Sequence, residues 1–330
     1  MTVLVTGGAG YIGQHVVYAL MAQGERVVVL DTLERASTKK MPPGVELVVG
    51  HVGDQALVER LVGAHGIESV LHLAGYVDVE ESVRCPGLYH NNNGAAAGVL
   101  FETAARAGVR HVVFSSTAAV YGNPMEFPVG EGASLRPVSP YGKSKVFAEQ
   151  ALQAEAKRSR HLRFVILRYF NVAGADPLGR CGYSVQGKPG HLIRRLVQVS
   201  LRHQGRLHVF GTDYPTHDGT CVRDFVHVHD IAHAHVCALR YLRRRGQSQI
   251  LNCGYGRGHS VLEAVAAAER ATSVRIPLQY SPRRAGDTSA VVADTSRIRR
   301  VLGWEPQFDT LEAMIGHEWD WVARHAQGTP

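Results

Sequence analysis

Two side chains suited to acid–base chemistry stand four residues apart in the segment SPYGKSK. A helix would carry Tyr141 and Lys145 on the same face, because residues four apart are neighbours on a helical surface. A phenol with a pKa of about 10 is a poor base at neutral pH, but a nearby ammonium group stabilises the phenolate. Ser139 is a favourable N-cap and Pro140 suits the first helical turn. The spacing predicts a base and its supporting cation at the start of a helix.

A glycine-rich turn, TGGAGYIG, follows the first strand-like stretch and opens a predicted helix. Gly7, Gly10 and Gly13 would let the backbone approach a pyrophosphate, and a helix N-terminus offers that anion free N–H groups. Asp31 stands at the end of the second predicted strand, where a carboxylate accepts hydrogen bonds from an adenosine ribose and repels a 2′-phosphate. The turn and the aspartate together predict NAD, rather than NADP, as cofactor.

Strands and helices alternate along the first half of the chain. Short apolar runs, which are typical of buried strands, recur as TVLVT, RVVVLD, VELVVG, SVLHLAG, HVVFSS and RFVILRYFNV. This alternation predicts an α/β fold, with a doubly wound parallel sheet of the Rossmann type, about seven strands, and helices on both faces. In such sheets ligands bind beyond the carboxyl ends of the strands. The segment FSST, Phe114 to Thr117, ends one strand there.

The density of glycine and proline rises beyond Ala173, in GADPLGRCGYSVQGKPG. Such a change marks the point where a chain leaves one structural unit and begins another. We therefore expect residues 1–173 to form the cofactor-binding domain and residues 174–330 to form mainly a smaller α/β substrate lobe, with some segments returning to the sheet. The cleft between the two would hold the substrate.

Composition limits the class of protein further. The five cysteines of the 330 residues lie far apart with no C-x-x-C pair, which disfavours a disulfide framework and a structural zinc site and indicates a reducing compartment. The first residues lack the basic start of a signal peptide, and no run of 18 apolar residues occurs. We expect a cytoplasmic protein with no membrane span.

The positive charge and the many histidines raise the question of two further partners, nucleic acid and a metal ion. The net charge of +7 comes from scattered residues, and the run Arg243 to Arg245 stands where a helix is expected to end. Among 18 histidines, the group at positions 227, 229, 233 and 235 invites a metal hypothesis, but no carboxylate or cysteine stands at ligand spacing. We expect neither nucleic acid nor metal to bind.

The sequence resembles the extended short-chain dehydrogenase/reductase family and, within it, the UDP-glucose/UDP-galactose 4-epimerases. The resemblance covers nearly the whole chain, and the motifs that carry it are TGGAGYIG, HLAG, FSSTAAVYG, SPYGKSK, LRYFNVAGA, FGTDYPTHDGTCVRDFVHV and SPRRAGD. It implies a UDP-sugar substrate, bound NAD, and a homodimer formed through the helices after Pro86 and Tyr141. In such enzymes a 4-keto sugar forms transiently and is reduced on its other face.

The resemblance also implies roles for individual residues. Thr117 would bond the 4-hydroxyl of the sugar, Tyr141 would be the base, and Lys145 would bind the nicotinamide ribose and lower the pKa of the tyrosine. The implied NAD-binding positions are Gly7, Gly10, Tyr11, Ile12, Gly13, Asp31, Val52, Leu73, Ala74, Gly75, Asn93, Ser115, Tyr141, Lys145 and Tyr169. The implied substrate-binding positions are Thr117, Asn171, His191, Leu192, Phe210, Arg223, Arg284, Asp287 and Val291.

Several positions depart from patterns common among the relatives. His51 replaces an Asp that reaches the adenine amine, Val77 replaces a Lys near the cofactor phosphates, and His191 replaces an Asn near the diphosphate. Val291 stands where some epimerases place a tyrosine against the sugar, which predicts a roomier pocket. The first two changes put cofactor affinity, rather than cofactor identity, in question.

Other activities remain open at this point. Ala118 and Ala119 occupy places where dehydratases carry an acidic pair and decarboxylating relatives carry a carboxylate, so epimerisation is favoured. A UDP-N-acetylhexosamine 4-epimerase would use the space at Val291, and a UDP-glucuronic acid 4-epimerase could pair Arg180 with the carboxylate. A non-catalytic NAD-sensing protein is the alternative of another class, although a sensor needs no base.

Overall fold

A computed structural model describes residues 1–36, 38, 41–124, 126–184, 191–202, 205–284 and 287–326. The last part of the glycine-rich segment, residues 185–190, and the centre of SPRRAGD, residues 285 and 286, lie outside the described residues.

Within these ranges the strands are β1 (Thr2–Thr6), β2 (Arg26–Asp31), β3 (Glu46–Val49), β4 (Ile67–His72), β5 (His111–Thr117), β6 (Arg163–Tyr169), β7 (Asn171–Ala173), β8 (Leu207–Phe210), β9 (Val222–His227), β10 (Gln249–Cys253), β11 (Gly258–Ser260), β12 (Leu278–Ser281) and β13 (Ala290–Val291). The helices are α1 (Tyr11–Ala22), α2 (Gln55–His65), α3 (Val79–Arg84), α4 (Pro86–Tyr89), α5 (Ala96–Arg106), α6 (Pro140–Arg158), α7 (Leu192–Arg202), α8 (Val228–Arg243), α9 (Val261–Thr272), α10 (Ser296–Leu302) and α11 (Leu311–Ala326). A π-helical segment, His90–Ala95, joins α4 to α5, and a 3₁₀ turn, Ala118–Val120, follows β5.

The central sheet has seven parallel strands in the order β10-β6-β5-β4-β1-β2-β3. The chain winds outward in one direction from β1 and then in the other from β4, so the point where the winding reverses lies between these two strands. Loops leaving the carboxyl ends of such neighbours diverge and open a crevice. The prediction of a doubly wound Rossmann-type sheet is confirmed.

Helices cover both faces of this sheet, which explains why β1 is apolar at adjacent positions rather than at alternate ones. Val3 and Val5 point into a core shared with α1 and α8, while Leu4 points into the opposite core shared with α2, α5 and α6. Every residue of β1 is buried. Burial on both sides is what produces a continuous hydrophobic run in a parallel strand.

The sequence predicted a single strand over the run RFVILRYFNV. The structure has two strands there. β6 ends at Tyr169, and β7 begins at Asn171 and pairs with β9 in a different sheet. Phe170 lies between the two strands, and its backbone N–H donates to Cys253 O at 3.2 Å. The chain therefore leaves the central sheet three residues before the end of the run, because apolar side chains continue into the second sheet.

The later part of the chain builds its own core and also returns to the central sheet. β8 pairs with β12, and β9 lies between β11 and β13, with α7, α9 and α11 packed around a separate apolar cluster that includes Ile193, Phe225 and Met314. β10 adds to the central sheet beside β6, and α8 packs against its face. The boundary at residue 173 stays a prediction. No helix in the described ranges is both long and apolar enough to cross a bilayer.

Candidate active site

The glycine turn after β1 leaves no space for larger residues. Gly7 has φ +72°, and a Cβ on it would lie 2.5 Å from the backbone nitrogen of Ala74. A Cβ on Gly13 would lie 2.1 Å from Gly7 O, so α1 packs directly on the turn. Gly10, the N-cap of α1, supplies no side-chain hydrogen bond, which leaves the helix N-terminus for an anion. The turn has the close backbone approach that a pyrophosphate requires.

The Asp31 carboxylate ties the end of β2 to this turn. One oxygen accepts a hydrogen bond from Ala9 N at 3.0 Å and the other accepts one from Leu33 N at 2.9 Å. Each carboxylate oxygen has about two lone-pair sites. Asp31 is therefore oriented by the backbone and still able to accept bonds from the hydroxyls of a ribose.

A cleft opens beside the turn between the segments that follow β1, β2 and β4. It is lined by predicted cofactor positions, namely Gly7, Gly10, Asp31, Val52, Leu73, Ala74 and Gly75. It is also lined by residues that the sequence analysis did not assign to the cofactor, namely Leu30, Thr32, Arg35, Ala36, Gly50, His51, Tyr76 and Asn92. The glycine turn, the oriented aspartate and the apolar walls all suit a dinucleotide, so the residues present fit NAD.

Asn93 positions one wall of this cleft. Its side chain is 1% exposed, its Oδ1 accepts from Tyr76 N at 2.8 Å, and its Nδ2 donates to Tyr76 O at 2.8 Å. The residue lies in the π-helical segment between α4 and α5. Such segments often occur at functional sites. The structure thus shows Asn93 holding the loop that includes Gly75 and Tyr76.

Helix α6 begins as predicted. Ser139 Oγ accepts from Gly142 N at 3.1 Å and Pro140 is the first helical residue. A Cβ on Gly142 would lie 2.7 Å from Ala119 O, so the start of α6 packs closely on the 3₁₀ turn after β5. This contact sets the first turn of the helix, which carries Tyr141, against the end of the strand that carries Thr117.

Lys145 is buried beneath this site. It is 3% exposed, its Nζ donates to Ser115 O at 3.0 Å, and it lies 5.0 Å from the centre of the Phe114 ring. Burial lowers the pKa of Lys145 to about 8, against an opposing attraction from Glu149. The ammonium is therefore held at the carboxyl end of β5 and is easier to deprotonate than an exposed lysine.

Tyr141 lies in contact with Thr117. Burial raises the pKa of the phenol, and a hydrogen bond with the Thr117 side chain lowers it. Burial has the larger effect, so the expected lowering of this pKa needs further positive charge, such as that of an oxidised nicotinamide. The structure thus brings Tyr141 and Thr117 into contact at the carboxyl edge of the sheet, with Lys145 one turn further along α6.

Tyr169 and Ser115, both predicted at the cofactor, lie on neighbouring strands below this group. The Tyr169 hydroxyl is 2.6 Å from His235 Nε2, and His235 Nδ1 lies 2.9 Å from Ile231 O. The ring must carry its proton on Nδ1 to donate to that carbonyl, so Tyr169 donates to Nε2. Ser115 also hydrogen bonds to the Tyr169 hydroxyl. A buried hydrogen-bonded row therefore fixes the floor of the site.

The predicted diphosphate and sugar positions form a second cluster. The Arg284 guanidinium lies 4.5 Å from the centre of the Phe210 ring, and its Nε donates to Asp287 at 3.1 Å. Arg223 donates to Thr288 O at 3.0 Å and is paired in register with Val291. Asn171 on β7 pairs with β9, the strand that carries Arg223. Two guanidinium groups in one cluster suit a diphosphate.

His191, directly before α7, lies against Tyr11 at the start of α1, whereas Leu192, the first residue of α7, packs against the apolar cluster of the later part of the chain. His191 Nδ1 accepts from Arg194 N at 3.3 Å, which leaves the ring proton on Nε2. Among the described residues this buried Nε2 has no hydrogen-bond partner. Its ring stacks on Tyr11 with centroids 6.1 Å apart, and burial lowers the pKa of His191 to about 4. A neutral ring with a free N–H suits a hydrogen-bond acceptor such as a phosphate oxygen.

The Arg180 side chain is paired with Asp176 and lies over the ring of Tyr18. It forms two hydrogen bonds to the Asp176 carboxylate, at 2.8 and 2.6 Å, and lies 4.6 Å from the centre of the Tyr18 ring. Tyr18 is seven residues along α1 from Tyr11, which corresponds to about 10 Å of helix. The structure therefore does not favour the alternative in which Arg180 pairs with a sugar carboxylate.

Two of the histidines considered for metal binding, His227 and His235, form hydrogen bonds through both ring nitrogens. His227 Nδ1 accepts from His229 N at 3.0 Å, so its Nε2 donates to His317 Nδ1 at 2.9 Å. His235 bonds to Tyr169, as described above. Within the described part of the chain no group of three or more histidine, cysteine, aspartate or glutamate side chains is arranged to hold a metal ion.

Sequence reasoning missed four residues close to the site, namely Arg35, Tyr76, Glu81 and Tyr89. The Tyr89 ring is fully buried, with its centroid 6.4 Å from that of Tyr141, and its hydroxyl donates to Glu81 at 2.7 Å. Arg35 and Tyr76 follow β2 and β4, the strands that flank the cleft. Their positions directly after those strands were the available signal.

Comparison with known proteins gives a consistent result. A family model described as the NAD dependent epimerase/dehydratase family matches residues 3–254. A UDP-glucose 4-epimerase of Azospirillum brasilense is 47% identical over 97% of this chain and 91% of its own length. Similarity at this level extends across both the central sheet and the later part of the chain.

Solved structures resemble this one over their full length. The UDP-glucose 4-epimerase of Stenotrophomonas maltophila, with bound NAD and formylated UDP-arabinopyranose, has a TM-score of 0.95, 40% identity and 100% coverage of both chains. The UDP-glucose 4-epimerase of Bifidobacterium longum, in complex with NAD⁺ and UDP, has a TM-score of 0.91, 36% identity and 100% coverage of both chains.

Proposed function

The chain belongs to the NAD-dependent epimerase/dehydratase family, and we propose that it interconverts UDP-glucose and UDP-galactose by epimerisation at C4 of the sugar. The observation that carries this proposal is the contact of Tyr141 with Thr117, beside the buried ammonium of Lys145 and next to a cleft that fits NAD. An acid–base group therefore adjoins a site for a redox cofactor. That combination suits the oxidation of a secondary alcohol.

Bound NAD supplies the oxidation and reduction at C4. Tyr141 takes the proton of the 4-hydroxyl, and Thr117 accepts or donates a hydrogen bond at the same oxygen. Lys145, one turn further along α6, carries the buried ammonium group of the site. The resulting 4-keto sugar turns so that its other face is reduced, and Tyr141 returns the proton. Arg223 and Arg284 hold the diphosphate during this turn, which lets the sugar move while the nucleotide stays in place.

The turn after Thr117 supports epimerisation over elimination. Ala118 and Ala119 form the 3₁₀ segment directly after β5 and offer neither acid nor base. A dehydratase or a decarboxylase needs a carboxylate there to move a second proton or to orient a carboxylate substrate. These alanines therefore favour a reaction in which Tyr141 alone manages the proton.

A second substrate class follows from Val291. It lies in β13 opposite Arg223, where some relatives place a tyrosine against the sugar. A valine leaves room for an N-acetyl group, so UDP-N-acetylhexosamines are proposed as additional substrates. UDP-glucuronic acid is less favoured because Arg180 is paired with Asp176.

The test is incubation of the purified protein with UDP-galactose, UDP-N-acetylgalactosamine and UDP-glucuronic acid, with products resolved by NMR. We expect conversion of UDP-galactose to UDP-glucose without added cofactor, and a loss of at least ~10²-fold in the Tyr141→Phe variant, which removes only the phenolic acid–base group. Wild-type protein that holds NAD and converts none of the sugars would support the NAD-sensing alternative. A near-normal rate in Tyr141→Phe would remove this residue from the mechanism.

We further propose a homodimer that pairs the face made by α3, α4 and α6. Val79, Val83 and Leu88 are exposed there, together with Phe147 on α6. Exposed apolar side chains on adjacent helices are typical of an interface between subunits. Sedimentation should give a dimer for the wild type and a monomer for Phe147→Glu, and a monomeric wild type would contradict the proposal.

The proposed compartment is the cytoplasm. All five cysteines are free, and four of them are buried where burial raises the pKa of the thiol. Free thiols in these numbers are typical of a reducing environment.

A further inference from the structure

Two loops face each other across the cofactor cleft. The loop after β2 contributes Thr32, Arg35 and Ala36 to the lining, and the loop after β4 contributes Gly75 and Tyr76. The first loop also rests on the glycine turn. A dinucleotide in the cleft would therefore lie between these loops.

Side chains connect the two loops directly. Arg35 Nη1 and Nη2 donate to the two oxygens of Glu81, at 2.5 and 2.9 Å, and the guanidinium lies 3.8 Å from the centre of the Tyr76 ring. The Tyr76 hydroxyl donates to Glu34 at 2.8 Å. These four residues, Glu34, Arg35, Tyr76 and Glu81, are called the clasp.

An ordinary surface ion pair contributes little to stability because two long side chains must be ordered. The clasp has more contacts than such a pair. The Arg35–Glu81 contact is bidentate, and the guanidinium is also stacked on an aromatic ring. Glu81 accepts a further bond from the buried Tyr89 hydroxyl, and Arg35 and Tyr89 together lower the pKa of Glu81 to about 2. Glu81 is thus held by Tyr89 on one side and by Arg35 on the other.

The charged side chains around the cleft indicate what the clasp does. Val77, at a position where many relatives carry a lysine near the cofactor phosphates, is 64% exposed and has no charge to offer. Arg35 brings a cation to the same cleft from the opposite loop. Through Glu81, this cation is linked to α3, the helix that follows the loop after β4.

We propose that the clasp bridges the two loops over the cofactor cleft and so retains bound NAD. The inference rests on the NAD dependence of the proposed function and extends it to residues outside the glycine turn and Asp31. The clasp must open for NAD to leave, because Arg35 and Tyr76 form part of the wall of the cleft. Its loss should therefore increase the rate of NAD dissociation more than it changes catalysis.

The experiment measures NAD release from the purified holoenzyme by rapid desalting at intervals and quantification of nucleotide in the protein fraction. We expect Arg35→Ala and Glu81→Gln each to release NAD at least ~10-fold faster, a factor that corresponds to loss of one charge-assisted contact. Glutamine keeps an acceptor for the Tyr89 hydroxyl. The double variant should release NAD no faster than the worse single variant, because both changes break one contact.

A matched control is available in Arg106, which forms an exposed ion pair with Glu59 at 2.6 Å, away from the cleft. Arg106→Ala should release NAD at the wild-type rate. Arg35→Lys keeps the charge without the bidentate geometry and should lie between the wild type and Arg35→Ala. Circular dichroism before and after release establishes that each variant is folded.

Two results would overturn the proposal. Wild-type release from Arg35→Ala means that the clasp does not retain NAD, and faster release from Arg35→Ala with unchanged release from Glu81→Gln means that Arg35 acts alone. Epimerase assays at saturating NAD separate either of these results from a failure of the proposed function. We expect the control Arg106→Ala to keep wild-type turnover there, and absence of epimerase activity in the wild type would contradict the proposed function while the release rates still test the clasp.

Discussion

Lys145 Nζ lies 3.0 Å from Ser115 O, and this hydrogen bond holds a buried ammonium group at the carboxyl end of β5. The folded protein binds this proton less tightly than the unfolded chain, because burial lowers the pKa from 10.5 to about 8. Below pH 8 the fold therefore bears the full cost of the charge, and this cost decreases as the pH rises from 8 to 10.5. A cost retained at neutral pH is consistent with a functional lysine.

Replacement of this lysine should separate function from stability. We expect Lys145→Met to lower kcat by at least ~10²-fold because the phenolate of Tyr141 loses its nearby cation. The melting temperature at pH 7 should stay unchanged or rise, since the variant no longer buries a charge. Calorimetry and steady-state kinetics test both parts, and turnover close to that of the wild type would contradict the role of Lys145.

Buried histidines predict how stability depends on pH. Burial lowers the pKa of His15, His191 and His235 to about 4 and that of His72 to about 3, from 6.5. Below pH 6.5 the unfolded chain binds protons that the folded protein does not, so acid favours unfolding. Each histidine should contribute up to about 1.4 kcal/mol per pH unit. The free energy of unfolding, measured from pH 6.5 to pH 5, should fall steeply, and a flat profile would contradict the burial of these rings.

The glycine turn predicts a sharp contrast between two alanine substitutions. Gly13→Ala should abolish NAD binding, because its Cβ would lie 2.1 Å from Gly7 O. Gly63→Ala is the matched control, since this exposed helical glycine has no heavy atom within 4 Å of an added Cβ. That control should keep NAD and gain up to about 1 kcal/mol of stability. Normal NAD content in Gly13→Ala would show that the turn is looser than described.

Sugar specificity should depend on Val291. If UDP-N-acetylhexosamines are substrates, Val291→Tyr should reduce kcat/KM for them by at least ~10-fold more than for the plain hexoses, because a phenol ring fills the space of the acetyl group. Parallel assays with UDP-galactose and UDP-N-acetylgalactosamine make this comparison. Equal losses for both sugars would mean that Val291 does not border the acetyl group.

Local patterns were enough to predict the central sheet and the two motifs. Strands that are buried on both faces are visible in the sequence as apolar runs. The glycine turn and the start of α6 each depend on residues that are close together in sequence. The capping of α6 by Ser139 was predicted correctly for that reason.

Longer-range features left no such pattern. The addition of β10 beside β6 and the break at Phe170 depend on which strand each segment meets in space. Arg35 and Glu81 are 46 residues apart, and only the fold shows that they meet. The free N–H of His191 likewise depends on the backbone geometry at the start of α7. These parts of the site could not be predicted from the sequence, because their partners are distant along the chain.

The most direct test of the central claim is the fate of the hydrogen at C4. Purified protein is incubated in D₂O with UDP-galactose and without added NAD, and the UDP-glucose formed is examined by NMR. We expect the product to keep protium at C4, because the hydrogen removed from one face returns to the other within the same closed site. Deuterium at C4, or formation of UDP-glucose only when NAD is added, would contradict it.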